Sequence, residues 1–199
     1  MNFLKKRFSS NGSEDRVVII QKQSVVVGRF TYGLEDIKIK QWGEGAKLRI
    51  GSFCSLGSGI TFFLGGNHRS DWVSTYPFGH IFQKQLSGKP NIGHPYSNGD
   101  ITLGHDVWVG HGVTFMSGVE IGSGAVIAAN SHVTRSVGPY EIFGGNPAKK
   151  IKDRFDRETT DLLLELQWWT LPLEQINALT SLLTSCPSKE NLKKYLSSI

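Results

Sequence analysis

Apolar positions in the second half of the chain recur neither every two residues nor every 3.6, but every six. From Leu103 the sequence divides into six consecutive hexads: LGHDVW, VGHGVT, FMSGVE, IGSGAV, IAANSH and VTRSVG. The first position is apolar throughout (Leu103, Val109, Phe115, Ile121, Ile127, Val133). The fifth is small or β-branched (Val107, Val113, Val119, Ala125, Ser131, Val137), and glycine recurs at the second (Gly104, Gly110, Gly122). A helix cannot keep a strict period of six on one face, and a simple strand alternates by two. A short strand followed by a sharp turn can keep it. Three such strands close one coil, so residues eighteen apart stack: Leu103 under Ile121, Val109 under Ile127, Phe115 under Val133. The stacked side chains make one continuous core, and glycines allow corners with φ above zero. This pattern predicts a parallel β-helix of hexapeptide repeats.

The same period appears earlier in IGSFCSLGSGIT (50–61), and more weakly in VVVGRFTYG and IKIKQWGEGAKL. Between them and Leu103 the hexads stop. A long excursion, about 63–100, is rich in Gly, Pro, His and aromatics, and a loop of that length in a compact domain is usually functional. After GGNPAKKIK the period becomes helical: TTDLLLELQWW, LPLEQINALTSLL and SKENLKKYL predict short helices. The expected organisation is a β-helix domain over 1–150 and a helical cap over 151–199 that closes the open end of the repeat stack.

Composition narrows the function classes. The chain has 199 residues, 23 of them glycine, and a formal net charge of +5. Its cations are scattered except at Lys5-Lys6-Arg7, Lys149-Lys150-Ile151-Lys152 and Lys193-Lys194. No basic stripe interleaved with aromatics marks a nucleic-acid surface; the middle cluster suits a polyphosphorylated cofactor. No apolar run approaches the roughly 20 residues of a membrane span. The start, MNFLKKRF, has no apolar stretch behind it and predicts no secretory signal. Two cysteines, Cys54 and Cys186, form no framework and fit a reducing cytoplasm. Cys54 falls at a small fifth position, which predicts a core residue rather than a nucleophile.

Five ordered blocks carry a family resemblance: IGSFCSLGSGIT, GGNHRSDWVSTYPF, GDITLGHDVWVGHGVTFMSGVEIGSGAVIAANSHVT, GGNPAKKIKDRF and LLELQWWTLPLEQI. Together they resemble the hexapeptide xenobiotic acetyltransferases, the left-handed β-helix family of the chloramphenicol and streptogramin acetyltransferases. The left hand comes with the resemblance; the general rule for parallel crossovers would give the opposite. The resemblance implies a homotrimer with active sites between subunits, moving acetyl from acetyl-CoA to a hydroxyl. It assigns the general base to His68, within Asn67-His68-Arg69. An alcohol is a weak nucleophile at neutral pH, and a histidine, with an ordinary pKa near ~6.5, can remove its proton as the C–O bond forms. No acyl-enzyme is required, so direct attack in a ternary complex is expected. By the same resemblance Gly110, His111, Ala128 and Ala129 line the pantetheine groove. Thr134, Arg135, Lys149 and Lys152 lie near the nucleotide phosphates, which cations suit. Asn67, Trp72, Tyr76 and Trp108 are the substrate-side candidates, Asp71 is either a group that orients His68 or a loop-surface aspartate, and His80 and His94 are expected at the surface.

Other readings compete. His68, His105 and His111 are the three histidines a γ-carbonic-anhydrase-like metal site would use, yet His105 and His111 occupy one hexad position on successive faces and point apart. A non-catalytic trimeric scaffold would need neither His68 nor the basic cluster. No metal is expected. The acceptor is set by the excursion and the N-terminal coils. Gly66 stands where antibiotic-modifying members tend to have alanine, and Trp72-Val73 replaces a shorter link. These departures leave a saccharide hydroxyl open beside an antibiotic one.

Overall fold

The computed structural model describes residues 13–86 and 92–197. The N-terminal MNFLKKRF segment, with Lys5-Lys6-Arg7, lies outside the described residues, as do five residues of the excursion, 87–91.

Three sheets form the faces of a prism. The first carries β1 (Arg16–Ile20), β2 (Gln23–Val27), β4 (Leu48–Ile50), β7 (Ile101–Leu103) and β10 (Glu120–Ile121), in that order. The second carries β5 (Ser55–Leu56), β8 (Trp108–Val109), β11 (Val126–Ile127), β13 (Glu141–Gly144) and β14 (Lys149–Asp153). The third carries β3 (Lys38–Lys40), β6 (Thr61–Phe63), β9 (Thr114–Phe115) and β12 (His132–Val133). Consecutive strands step from one face to the next, so each strand pairs in parallel with the strand one coil away. The partners are those the period predicts: Leu103 with Ile121, Val109 with Ile127, Phe115 with Val133. Antiparallel strands finish two faces, β1 on β2 and β14 on β13.

All twelve first- and fifth-position residues of the six hexads are buried, from Leu103 to Val137. Complete burial of one Val, Leu, Ile or Phe side chain contributes about 1.5–3 kcal/mol, so the column is the main source of stability. Cys54 belongs to it: fully buried, its thiol donates to the Gly104 carbonyl at 3.2 Å, and burial pushes its pKa up to about 11.

The left-handed corners fall at the fourth hexad position: Asp106, Gly112, Gly118, Gly124 and Asn130 all have positive φ. The second-position glycines meet a different need. A Cβ on Gly104, Gly110 or Gly122 would lie within 2.7 Å of backbone nitrogen in the next coil, so these positions are small because the coils touch there.

One corner column also holds Phe30, Phe53 and Tyr140 at positive φ (58°, 60° and 55°). Such a backbone costs a non-glycine residue about 1–2 kcal/mol. The rings explain the choice. Phe53 meets Phe30 at 5.0 Å and Trp168 at 4.7 Å, and Tyr140 meets Phe155 at 5.7 Å. This column receives the C-terminal segment: α1 (Arg157–Leu166), a 3-10 turn (Trp168–Thr170), α2 (Leu173–Ala178), α3 (Thr180–Leu183) and α4 (Lys189–Leu196). Trp169 stacks on His105 at 5.4 Å, and Arg29 donates to the Trp169 carbonyl at 2.8 Å. The helices therefore run down a flank, from Tyr140 in the last coil to Arg29 near the first, rather than lying across the open end alone. No helix among the described residues is long and apolar enough to cross a membrane.

Candidate active site

The excursion leaves the third sheet at the end of β6 and returns at β7. Its entry and exit are tied together: Asn67 and Tyr96 exchange two backbone hydrogen bonds of 3.0 Å, and Ser97 Oγ donates to the Leu64 carbonyl at 2.5 Å. The Asn67 amide reaches Ser117 Oγ at 3.1 Å, in the corner of the next coil. His68, the next residue, is exposed and stands on this fixed base.

Its Nδ1 lies 2.7 Å from the Thr75 carbonyl. A carbonyl only accepts, so Nδ1 carries the hydrogen and Nε2 keeps the lone pair. That is the tautomer a general base requires. Of the two readings open for Asp71, a group orienting the ring or a loop-surface aspartate, the geometry fits the second: Asp71 pairs with Arg69, whose Nε donates to it at 2.7 Å, and this bond holds the carboxyl down at a pKa of about 2. Arg69 lies over Trp72 and Tyr96, with its guanidinium 5.3 Å and 5.8 Å from the two ring centroids.

His68 opens on a cavity of about 300 Å³ walled by Trp42, Gly66, Pro77, His80, Ile81, His94 and Pro95. His80 is exposed as expected, whereas His94 is not. Only 6 % of His94 is accessible, because its ring is enclosed by His68, His80 and Trp72. Trp42 explains Gly66. Gly66 has φ +79°, and a Cβ there would meet the Trp42 ring at 2.3 Å. Its amide donates to Glu44 Oε1 at 2.5 Å. Trp42, Glu44, Thr75 and Ser117 were not legible as site residues, since each comes from a different coil or contributes only its backbone. The one available signal was register: Lys40 pairs with Phe63, which brings the residues just after each into one corner.

Most of the cofactor-side candidates lie elsewhere on the prism. Gly110, His111, Ala128 and Ala129 form one stacked corner between the second and third sheets; a Cβ on Gly110 would meet the Ala129 nitrogen at 2.6 Å. His111 Nδ1 is 2.8 Å from Ser58 Oγ. Thr134 and Arg135 follow β12, on the same corner column from which the excursion departs, and both are exposed. Lys149 and Lys152 are exposed on β14, while Lys150 between them pairs with Glu141 and Asp153 at 2.7 Å. Trp108 is exposed on the second sheet, in the outward row that runs through Val126 and Ile142 to Lys152. Trp72 packs near His94 at 6.1 Å, and Tyr76 meets Phe78 at 5.0 Å. None of the cofactor-side candidates lines the His68 cavity.

His105 has other work. Its Nδ1 accepts the Ser52 N–H at 3.0 Å, and its other contact is the Trp169 ring. Among the described residues, no three His, Cys, Asp or Glu side chains are grouped to hold one metal ion.

With this geometry in place, similarity to known proteins adds the family. Residues 100–135 match the bacterial transferase hexapeptide (six repeats) family. Over 179 residues the chain is 41% identical to a chloramphenicol acetyltransferase of Agrobacterium fabrum, covering 83% of this chain and 85% of that protein. It is 46% identical over 153 residues to a probable macrolide acetyltransferase of Lysinibacillus sphaericus (76% and 85% covered). It is 44% identical over 168 residues to the virginiamycin A acetyltransferase of Staphylococcus aureus (79% and 76% covered). The chain belongs to the hexapeptide-repeat xenobiotic acetyltransferases, and its coil is the left-handed β-helix of that family. It is an acetyl-CoA-dependent O-acetyltransferase.

Proposed function

We propose that the chain acetylates a hydroxyl of an antibiotic, with chloramphenicol as the first acceptor to test, and that His68 is the general base. The observation that carries this reading is the Nδ1–H···O=C bond from His68 to Thr75, which leaves Nε2 free to accept a proton beside an apolar-walled cavity. The acceptor hydroxyl gives its proton to Nε2 while its oxygen bonds to the thioester carbon. The C–S bond then breaks, and the imidazolium returns the proton to the departing CoA thiolate. No covalent enzyme intermediate is needed.

Trp42, Pro77, Ile81 and Pro95 give the cavity flat and apolar walls, with histidines as its polar groups. A saccharide is better held by carboxylates and amides, and among the described residues no such side chain lines this cavity. The departure at Gly66 is met by Trp42 within the same cavity, so it alters the wall without displacing the base.

In this reading the assembly is a homotrimer. Gly110, His111, Ala128, Ala129, Lys149 and Lys152 sit on a different corner or face from the His68 cavity, while Thr134 and Arg135 share its corner column, so in this reading a neighbouring subunit brings the first set to the cavity. Lys149, Lys152, Thr134 and Arg135 then serve the nucleotide phosphates, and the corner of Gly110, His111, Ala128 and Ala129 serves the pantetheine arm, with Trp108 beside it. Asn67, Trp72 and Tyr76 belong to the acceptor side.

The test is thiol release from acetyl-CoA with chloramphenicol, a streptogramin and a sugar nucleotide, using wild type and His68→Ala. General-base assistance is worth about 10² to 10⁴ in rate. His68→Ala should lose that much while CoA binding and assembly persist. Near-normal turnover of His68→Ala would overturn the base assignment, and release with the sugar nucleotide alone would overturn the acceptor.

A further inference from the structure

His94 is a costly residue to bury where it is. Neither ring nitrogen has a hydrogen-bond partner and both are sealed from solvent. A buried polar atom left unpartnered is destabilising, so its presence in a native fold calls for an explanation, and a catalytic role is one. A leucine or phenylalanine would fill the same space without that penalty. The ring instead stands almost perpendicular to His68, at 82° and 4.6 Å between centroids, and 5.6 Å from His80.

We propose that His94 is the positioning residue for His68: its imidazole packs against the plane of the base and sets an uncharged, lone-pair-bearing group beside the imidazolium formed when His68 takes the acceptor's proton. Charge appears on His68 only during the reaction, so a preorganised partner at contact distance lowers the barrier without waiting for water to reorient. The role requires His94 to stay uncharged. Burial, and then the nearby His68 and His80, lower its pKa below the ordinary histidine value. Among the described residues the other charged groups nearby are already engaged: Arg69, which reaches toward Gly93, is paired with Asp71, and Glu44 accepts from the Gly66 amide.

The inference rests on His68 being the base. Its test is a pH profile of kcat/KM for chloramphenicol acetylation by wild type, His94→Phe and His94→Gln. His94→Phe should lower kcat at least tenfold, leave KM for acetyl-CoA within twofold, and move the acid limb to lower pH. His94→Gln, which restores a polar lone pair, should recover most of kcat. Wild-type kcat and an unmoved acid limb in His94→Phe would overturn the role. So would a loss of kcat with no movement of the limb and no rescue by glutamine, which would mean support of the loop and nothing more. If His94→Phe does not fold, or chloramphenicol is not acetylated, imidazole nitrogen NMR of the wild type decides. The His94 nitrogens should read as neutral at pH 7; a protonated His94 there would overturn the proposal. Normal activity of His68→Ala sinks the base assignment and this inference together, whereas an inactive His68→Ala beside an unaffected His94→Phe sinks only the inference.

Discussion

Between Ile101 and Val137 each strand takes its place from another strand in a neighbouring coil, whereas between Leu64 and Asp100 the backbone is tied to the coils by individual bonds. In the first region Leu103, Val109 and Phe115 are each paired on both sides, with Ile50 and Ile121, Leu56 and Ile127, Phe62 and Val133. In the second the ties to the coils include Leu64 to Lys40, Gly66 to Glu44, and both Asn67 and Asn98 to Ser117, while the Asn67–Tyr96 pair and the Ser97–Leu64 bond close the excursion on itself. Pairing resumes after the excursion with no slip of register. The repeat thus supplies a rigid frame that tolerates a long insertion, and the insertion is free to carry residues the repeat would exclude: the proposed base His68, an arginine–aspartate pair and an orphaned histidine.

The sharpest way to break this division is to damage each side and read both stability and activity. Phe115→Ala removes a fully buried ring that stacks on Phe62 at 4.9 Å. It should cost about 3–5 kcal/mol in chemical denaturation, with activity lost through unfolding. His68→Ala should leave the denaturation midpoint unchanged. A frame that tolerated Phe115→Ala with little loss would mean the stack is not the source of stability.

Gly66→Ala probes the seam. A Cβ at φ +79° against Trp42 should cost roughly 1–2 kcal/mol and reduce turnover by deforming the cavity wall. In a Trp42→Ala background the steric part of that penalty should vanish and only the backbone part remain. Equal penalties in both backgrounds would show that Trp42 does not confine Gly66.

The same division decides what the sequence made legible. The period names both partners of a stacked pair, so the core from Leu103 to Val137 and the register across the excursion follow from counting. Counting did not reveal that Phe53 and Tyr140 would occupy left-handed corners, because their advantage lies in a helical segment that arrives more than a hundred residues after Phe53. His68 was legible through its neighbours Asn67 and Arg69 in a family pattern. Its orientation was not, because the group that holds it is the Thr75 carbonyl, which no side-chain pattern encodes. His94 read as a surface residue for a related reason: its burial depends on how the excursion folds back on itself, and no repeat fixes that.

Smaller effects sharpen the comparison on the cofactor side. Lys149 and Lys152 are exposed on β14, and an exposed ion contact is worth about 0.2–1 kcal/mol. Replacing both with alanine should raise KM for acetyl-CoA roughly fivefold, with kcat unchanged and less difference at high salt. An unchanged KM would return both lysines to a solvated face.

The smallest expected effect is the most pointed. If Asp71 oriented His68, Asp71→Asn would disturb the base and cost decades of rate, as loss of the orienting carboxylate does in a catalytic triad. Here Asp71 is exposed and bonded to Arg69, so Asp71→Asn should leave kcat within about twofold of wild type. The sign of its pH effect agrees. The Arg69 bond lowers the carboxyl to about 2, so what the pair contributes is fully present above the ordinary aspartate value near ~3.9. That contribution is lost only as pH falls through about 2, and the pair adds nothing to the profile between about pH 5 and 8. An Asp71→Asn enzyme with a wild-type profile leaves the Thr75 carbonyl as the group that orients the base. A collapse of rate, or an acid limb that moves, would instead mean that the carboxylate leaves Arg69 and turns to His68 once the acceptor is bound.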